Sequence, residues 1–415
     1  MAIKYEDSRN GRRNGWARLV NLSYEGKKSK QKIIEGTPLL PLTHIRPFGK
    51  EWWSGWQNML IFGDNLHALK ALSANTELKE KVRLIYVDPP FATNQEFRTG
   101  EDRTSTISRS DEDAMAYADT KTGTEYLESV RERFYMAKEL LAEDGSIYVH
   151  IDTKMGHYVK IILDEVFGQG HFINDIARVK SNPKNFEREG GGYGNMRDMV
   201  LFYSKGAHPV WNGAFRKHTR QQILNLFPKI DKDGRRYTTN PLHAPGETRN
   251  GATGGVWHVR GIDLRPPKGR HWRYHPSVLD ELEKKGLIEW SSTGNPRKII
   301  YADDFLKKQT KVQDIWKFKD PLYPTYPTEK NLAMLKMIIK ASSNPGDLVM
   351  DFYCGSGSTL IAAEQEGRRW IGVDNSMKAI EASVKRLLSI EKVSPFTLSK
   401  VGEAPLPETL QKILQ

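Results

Sequence analysis

The sequence predicts an α/β protein: a mostly parallel sheet covered by helices, interrupted by an inserted segment of different texture. Three observations predict it. Strand-like apolar runs and helical patterns alternate from about residue 55 to 204 and again from 321 to 400, the mark of a parallel sheet with helical crossovers. The run Val82–Val87 is apolar almost throughout and stops on Asp88-Pro89-Pro90-Phe91; continuous hydrophobicity suits a strand buried on both faces. Leu348–Asp351 leads through Phe-Tyr353-Cys-Gly355-Ser356-Gly357 into a helix start at Ser358-Thr359, a strand, a glycine turn and a helix in succession.

Residues 1–54 are weakly periodic, rich in Arg and Lys, and run into a tryptophan cluster (Trp52, Trp53, Trp56), which reads as a basic N-terminal extension. Asn58–Phe62 is a short strand ending on Gly63-Asp64-Asn65, followed by a helix carrying Leu66, Leu69 and Leu72. The prolines end the Asp88 strand, since they lack an N–H and fix φ. Asp88 and Phe91 therefore stand at a strand's carboxyl end, where open α/β sheets place their ligands. Residues 92–122 are polar and read as a mobile loop able to act as a lid. A helix over Thr124–Leu141, a strand over Ser146–Ile151, a helix over Val159–Phe167 and a strand over Met199–Tyr203 follow, with a basic, glycine-rich piece at 180–195. From 205 to 320 Trp, Pro, Gly and basic residues interleave around one clear helix, Ser277–Lys285, as a small inserted domain would. The alternation resumes with a helix over Lys330–Ala341 and a strand over Arg369–Asp374; the chain after about 392 shows no pattern, and 401–415 reads as a tail.

The net charge is +12 and the sequence pI about 9.4, which points to a polyanionic partner, nucleic acid first. The cations concentrate near the N-terminus and between about 180 and 312. Within that stretch Lys180, Arg260, Arg265, Lys268, Arg270 and Arg273, interleaved with aromatic rings, are the candidate DNA contacts. A basic but otherwise ordinary surface, with the tryptophans as core, is the alternative. The one cysteine, Cys354, excludes an internal disulfide and a cysteine-built zinc site. No apolar run approaches the roughly 20 residues of a membrane span, and the N-terminus lacks the plan of a signal peptide. A cytoplasmic protein is expected.

A glycine turn between strand and helix lets a ligand approach the backbone. Asp374, closing the next strand, can take the hydroxyls of a ribose. Both a dinucleotide and S-adenosylmethionine meet that description. Two features favour the latter: Leu360 stands where a third glycine would be, and Asp351 would repel a pyrophosphate but welcome a sulfonium.

Together, Asp88-Pro89-Pro90-Phe91 and Asp351-Phe-Tyr353-Cys-Gly355-Ser356-Gly357, in that order, resemble the β group of DNA amino-methyltransferases. The resemblance runs from about 55 to 390 and takes in Gly63–Leu66, Tyr148–Asp152 and Tyr326–Lys330. The segments Gly63–Leu66 and Tyr148–Asp152 are especially similar to modification subunits of type III restriction systems, although the chain is short for one. The resemblance implies a Rossmann-like, S-adenosylmethionine-dependent methyltransferase fold with circularly permuted motifs and an inserted target-recognition domain. It implies site-specific methylation of adenine N6 in double-stranded DNA, working as a homodimer, with a restriction subunit as a further partner. It assigns Asp88, Pro89, Pro90 and Phe91 to catalysis. Asp351, Tyr353, Gly355 and Gly357 go to the methionine side of the cofactor, with Ser356 and Thr359 as hydrogen-bonders and Lys330 reaching the methionine carboxylate. Asp374 goes to the ribose, and Asp64 with Asn65 to the adenine edge.

Asp88 and the Pro89 carbonyl can accept the two hydrogens of an exocyclic amine, and Phe91 can stack on a base turned out of the duplex. Transfer is then direct and in line, catalysed mostly by positioning. Methylation at cytosine C5 needs a cysteine nucleophile, and Cys354 lies in the cofactor turn. His150 and Asp152 read as a structural network, with no metal. Cytosine-N4 methylation, a catalytically idle DNA-recognition subunit, a nicotinamide-dependent oxidoreductase and an RNA substrate are the competing readings.

Overall fold

The computed structural model describes residues 20–49, 55–90, 95–99, 114–119, 123–180, 191–216, 218–248, 252–307, 310–321 and 329–403. The chain divides into two compact units: Phe215–Lys311, and the segments on either side of it. The smaller unit begins and ends inside the 205–320 range read from sequence, because Asn212 bonds the Ala341 carbonyl and Ile315–Trp316 joins the large unit's sheet.

The large unit is built on ten strands: β1 (Leu42–Phe48), β2 (Asn58–Phe62), β3 (Val82–Val87), β4 (Leu141–Ile151), β5 (Phe172–Val179), β6 (Arg197–Ser204), β7 (Ile315–Trp316), β8 (Leu348–Asp351), β9 (Arg369–Asp374) and β10 (Phe396–Val401). Their order is β1-β10-β2-β9-β8-β3-β4-β6-β5-β7. From β10 to β4 every neighbour is parallel, while β6 runs antiparallel to both β4 and β5. The centre is parallel because its strands are apolar on both sides: Leu60, Ile61, Leu84, Ile85, Val87, Val149 and Val349 are fully buried. One face packs on α1 (Lys30–Gly36), α2 (Asn65–Ala74), α3 (Gly123–Leu140) and α4 (Gly156–Phe167); the other packs on α5 (Leu332–Ser342), α6 (Ser358–Gln365) and α7 (Met377–Leu388). The α/β expectation holds.

Three segments differ from expectation. From residue 20 the N-terminal region is no free extension: Ile33 of α1 is buried in the core and β1 pairs with β10 at the sheet edge. The patternless stretch after 392 contains β10, an interior strand between β1 and β2. The polar stretch 92–122 contains an antiparallel pair, Gln95–Thr99 with Ala114–Asp119; its other residues lie outside those described.

The small unit carries a four-stranded antiparallel sheet in the order Lys229–Ile230, Arg236–Pro241, Pro296–Tyr301, Ile288–Trp290. Its core gathers Leu242, Trp257, Val259, Trp272, Leu279, Leu282 and Ile288. The helix Pro276–Lys284 supplies two of these, and its Asp280 accepts the Trp257 indole N–H at 2.8 Å.

Candidate active site

Four acids stand at the carboxyl ends of adjacent strands: Asp64 after β2, Asp374 on β9, Asp351 on β8 and Asp88 after β3. The register brings them to one edge, with Phe62 beside Asp374, Asp351 beside Gly372 and Met350 beside Ile85.

The glycine turn is fixed from within. The Thr359 hydroxyl donates to Asp351 at 2.6 Å and the Tyr353 N–H to its other oxygen at 3.0 Å. Burial pushes the Asp351 carboxyl up to about 7, against those two hydrogen bonds and reinforced by the charges of Asp88 and Asp374. Asp374 accepts the N–H groups of Gly355 and Ser376, at 2.9 and 2.8 Å, and burial raises it as well. Gly357 has φ +77°, and a Cβ there would meet the Ser383 hydroxyl at 2.8 Å. Glycine is required at that position. Ser383 donates to the Gly355 carbonyl at 2.8 Å, and Arg386 donates to the Ser356 carbonyl and hydroxyl at 2.9 and 2.7 Å. Ser356 and Thr359 are thus tied to α7 and to Asp351. Burial raises both acids, and a positive charge placed beside them would favour their ionised forms.

Asp64 caps α2 by accepting the Leu66 N–H at 2.8 Å, and pairs with Arg133 at 3.1 Å. Asn65 is buried; its amide donates to the Phe352 carbonyl at 2.6 Å and its oxygen accepts from Arg133. The adenine-edge role read for this pair meets a side chain of Asn65 already committed to the fold, whereas half of the Asp64 side chain stays exposed. Arg133, buried on α3, had no local sequence signal.

Asp88 has two unlike oxygens. Oδ2 is 2.5 Å from Lys330 Nζ. Oδ1 is buried and meets no hydrogen-bond donor among the described residues. Lys330 therefore lies against Asp88, a partner the expected methionine-carboxylate role did not include. Pro89 and Pro90 follow Asp88 as read; Phe91 lies outside the described residues, as does Tyr326. Behind Asp88 the register places His150, since Val87 pairs with Val149. His150 is fully buried, 4.0 Å from Asp88 Oδ1, 2.8 Å from the Tyr86 hydroxyl and 3.3 Å from Asp198. Burial lowers the imidazole pKa. Burial alone would raise Asp198, but His150 and Lys180 hold it well below the usual carboxylate range. Lys180, read as a DNA contact, is thus 2.6 Å from Asp198 in this network, and buried Arg178 joins it from the paired position across β5 and β6. Among the described residues no cluster of His, Cys, Asp or Glu could hold a metal ion, and no helix is long and apolar enough to cross a membrane.

In the small unit Trp257 and Trp272 are core and not base-stacking platforms, each 1% exposed. Arg260 holds the left-handed corner of a hairpin (φ +51°), bonds Glu283 at 2.6 Å and lies over Trp290. It is engaged within the unit. Arg265, Lys268, Arg270 and Arg273 are exposed and, among the described residues, pair with no carboxylate.

A parallel sheet with acids and a glycine turn at its carboxyl edge is the arrangement of α/β folds that take nucleotide-like ligands. Residues 82–385 match the N6/N4 family described as DNA methylase, and the chain belongs to that family. It is 41% identical over 373 residues to the type II methyltransferase M.EcaI of Enterobacter cloacae, covering 88% of this chain and 77% of that protein. Over 166 residues it is 42% identical to the DNA adenine methyltransferase YhdJ of Escherichia coli, covering 35% of this chain and 55% of YhdJ. At 24% identity it matches type III Mod subunits such as that of HindVI from Haemophilus influenzae, of which it spans about half the length (50%, over 80% of this chain). Among solved structures, a putative DNA modification methylase of Thermus thermophilus complexed with S-adenosyl-L-methionine aligns over 85% of this chain and 100% of its own, at 14% identity and a TM-score of 0.41. The chain is a DNA methyltransferase of the restriction-modification type.

Proposed function

We propose that this methyltransferase modifies the exocyclic N6 of adenine in double-stranded DNA, with S-adenosyl-L-methionine as donor and the target base turned out of the duplex. The observation that carries the reading is the buried Oδ1 of Asp88 at the carboxyl end of β3, unpartnered among the described residues. It is an acceptor held dry beside the edge that suits a cation, the arrangement an amine N–H requires. Adenine is favoured over cytosine-N4 by the acid at position 88, where cytosine enzymes of the resembling group more often carry Ser, and by the likeness to YhdJ.

The cofactor, when bound, supplies an electrophilic methyl group on a sulfonium. Asp351 and Asp374 provide the negative edge it needs, with the turn Gly355–Gly357 for its methionine side, Tyr353 beside it and Asp374 for its ribose. Asp88 and the Pro89 carbonyl accept the two amine hydrogens and favour a tetrahedral nitrogen, with Phe91 stacked on the base. Arg265, Lys268, Arg270 and Arg273 contact DNA. The working form is a homodimer, since specific protein–DNA interfaces commonly bury about 1,000–2,500 Å² and a second subunit adds contact area.

Incubation of unmethylated DNA duplex with labelled S-adenosyl-L-methionine, followed by digestion to nucleosides, tests the base: N6-methyladenine is expected, and N4-methylcytosine would transfer the reading to the other amine of the family. Light scattering at micromolar concentration, with and without DNA, tests the dimer; an active monomer in both would remove it.

A further inference from the structure

We propose that Lys330 is a positioning residue for methyl transfer, holding Oδ2 of Asp88 so that Oδ1 is presented to the target amine. Resting on the role proposed for Asp88 above, this gives Lys330 a task other than binding the cofactor's carboxylate. The ion pair is 2.5 Å long, and the side chains are only 10% and 16% exposed. A free carboxylate exchanges its two oxygens by rotation about its last torsion, which is broad and two-fold. A cation on one oxygen stops that exchange, and in a dry site a charge-assisted hydrogen bond does so strongly.

Among the described residues the opposite side of Asp88 offers no rival. His150 Nδ1 is 4.0 Å from Oδ1, beyond hydrogen-bond reach. Asp198, kept ionised by His150 and Lys180, accepts from His150 Nε2 at 3.3 Å. With that nitrogen carrying the ring's proton, Nδ1 accepts the Tyr86 hydroxyl at 2.8 Å. Burial keeps the ring neutral. A neutral imidazole in this tautomer has no proton to give Asp88, so Oδ1 stays open for the substrate while Oδ2 is held by Lys330.

The test is a double-mutant cycle on the full chain: Lys330→Met, Asp88→Asn, both together, and Lys330→Arg. Single-turnover methyl transfer to duplex DNA, S-adenosyl-L-methionine affinity by calorimetry, and thermal melting are measured. Misplacing a reacting group by an ångström costs on the order of 100-fold, so Lys330→Met should slow transfer by about 10- to 100-fold while cofactor Kd stays within about twofold. Lys330→Arg should recover part of the rate. In the Asp88→Asn background the residual rate should not fall further when Lys330 is replaced, because the group it positions is already altered. A rise in cofactor Kd that matches the lost rate would instead put Lys330 on the methionine carboxylate. Equal fold-losses in both backgrounds would show that it does not act through Asp88. Full activity in Asp88→Asn alone would overturn the role of Asp88 itself, a separate outcome. Should Lys330→Met fail to fold, Lys330→Arg carries the same comparison, with rate and Kd read in both backgrounds.

Discussion

The two units place charge in opposite ways. In the large unit titratable groups lie inside: Arg178 and His150 are fully buried, Asp351 and Asp198 nearly so, and each is hydrogen-bonded to partners within the unit. In the small unit the aromatic rings lie inside, Trp257 against Trp272 and Trp290, and exposed cations remain outside. Buried, paired charge is rigid and directional and suits positioning a reacting group. Exposed, unpaired cations cost little and attract a polyanion from a distance. On the proposed function, the difference separates a place for chemistry from a surface for binding.

The change expected to have the largest effect is at Asp88. Asp88→Ala should lower methyl transfer by about 10²–10⁴-fold, the range typical of a group that handles a proton-bearing centre. Cofactor affinity should hold, because in the proposed reaction Asp88 touches the amine and not the cofactor. Equal losses of rate and cofactor affinity, by calorimetry and single-turnover kinetics, would make the catalytic and cofactor roles of this edge inseparable.

Trp257→Ala probes the other side of the comparison. Removal of a core tryptophan costs about 3–5 kcal/mol, and here it also strands the Asp280 carboxylate that accepts the indole N–H. The small unit should melt earlier and DNA binding should fall, while S-adenosyl-L-methionine still binds the large unit. Unchanged melting with DNA binding lost would mean that the ring stacks on bases after all.

Asp351→Asn asks whether burial of charge is a burden in the unliganded enzyme. The folded carboxyl is raised to about 7, so the folded state prefers the protonated acid. Its contribution to stability is complete below the ordinary carboxylate pKa and is lost as pH rises through about 7. Asparagine cannot ionise. The cofactor-free variant should therefore be more stable than the parent at pH 8, on the order of 2–4 kcal/mol by pKa linkage, with the gap closing toward pH 4. Denaturant melts across that range check it; a gap independent of pH would mean that Asp351 has the same pKa in the folded and unfolded states.

Strand ends were legible in the sequence wherever a buried parallel strand meets a breaker: Asp88 before two prolines, Asp351 before a glycine turn, Asp374 after Val373. Those signals are local. The pairing of Lys330 with Asp88, the clamp of Arg133 on Asp64 and Asn65, and the chain from His150 to Asp198 and Lys180 link residues far apart in sequence, and no local pattern reports them. β1 was hidden because its run Leu42-Thr-His-Ile-Arg-Pro-Phe48 is half polar and holds a proline, which an edge strand tolerates. Interleaved aromatics and cations in the small unit were ambiguous for a geometric reason. In a short ribbon alternate residues face in and out, so Trp257 and Val259 are buried around an exposed His258, and the pattern of a core strand matches that of a binding strip.

The smallest expected effects come from single surface cations, and they divide the small unit itself. Arg270 and Arg273 are exposed and, among the described residues, pair with no carboxylate, so replacing either by Ala should leave melting within about 0.5 kcal/mol. If either touches a phosphate, DNA affinity should fall for all sequences and the slope of log affinity against log salt should drop by about one; a base contact would instead relax one position of the site. Arg270 also has an internal reporter. Burial lowers the pKa of His243, and the nearby Arg270 and Arg273 lower it further; Arg270 lies 3.2 Å from its Nδ1. Arg270→Ala should let that imidazole titrate higher, visible by NMR, even if DNA affinity is untouched. Arg260→Ala is the contrast. Its guanidinium is held by Glu283 and Trp290, so its loss should lower stability, by about 1 kcal/mol for a partly exposed pair with a ring contact, and leave the salt slope alone. A salt slope that falls with Arg260→Ala and not with Arg270→Ala or Arg273→Ala would reverse the assignment of binding face within this unit.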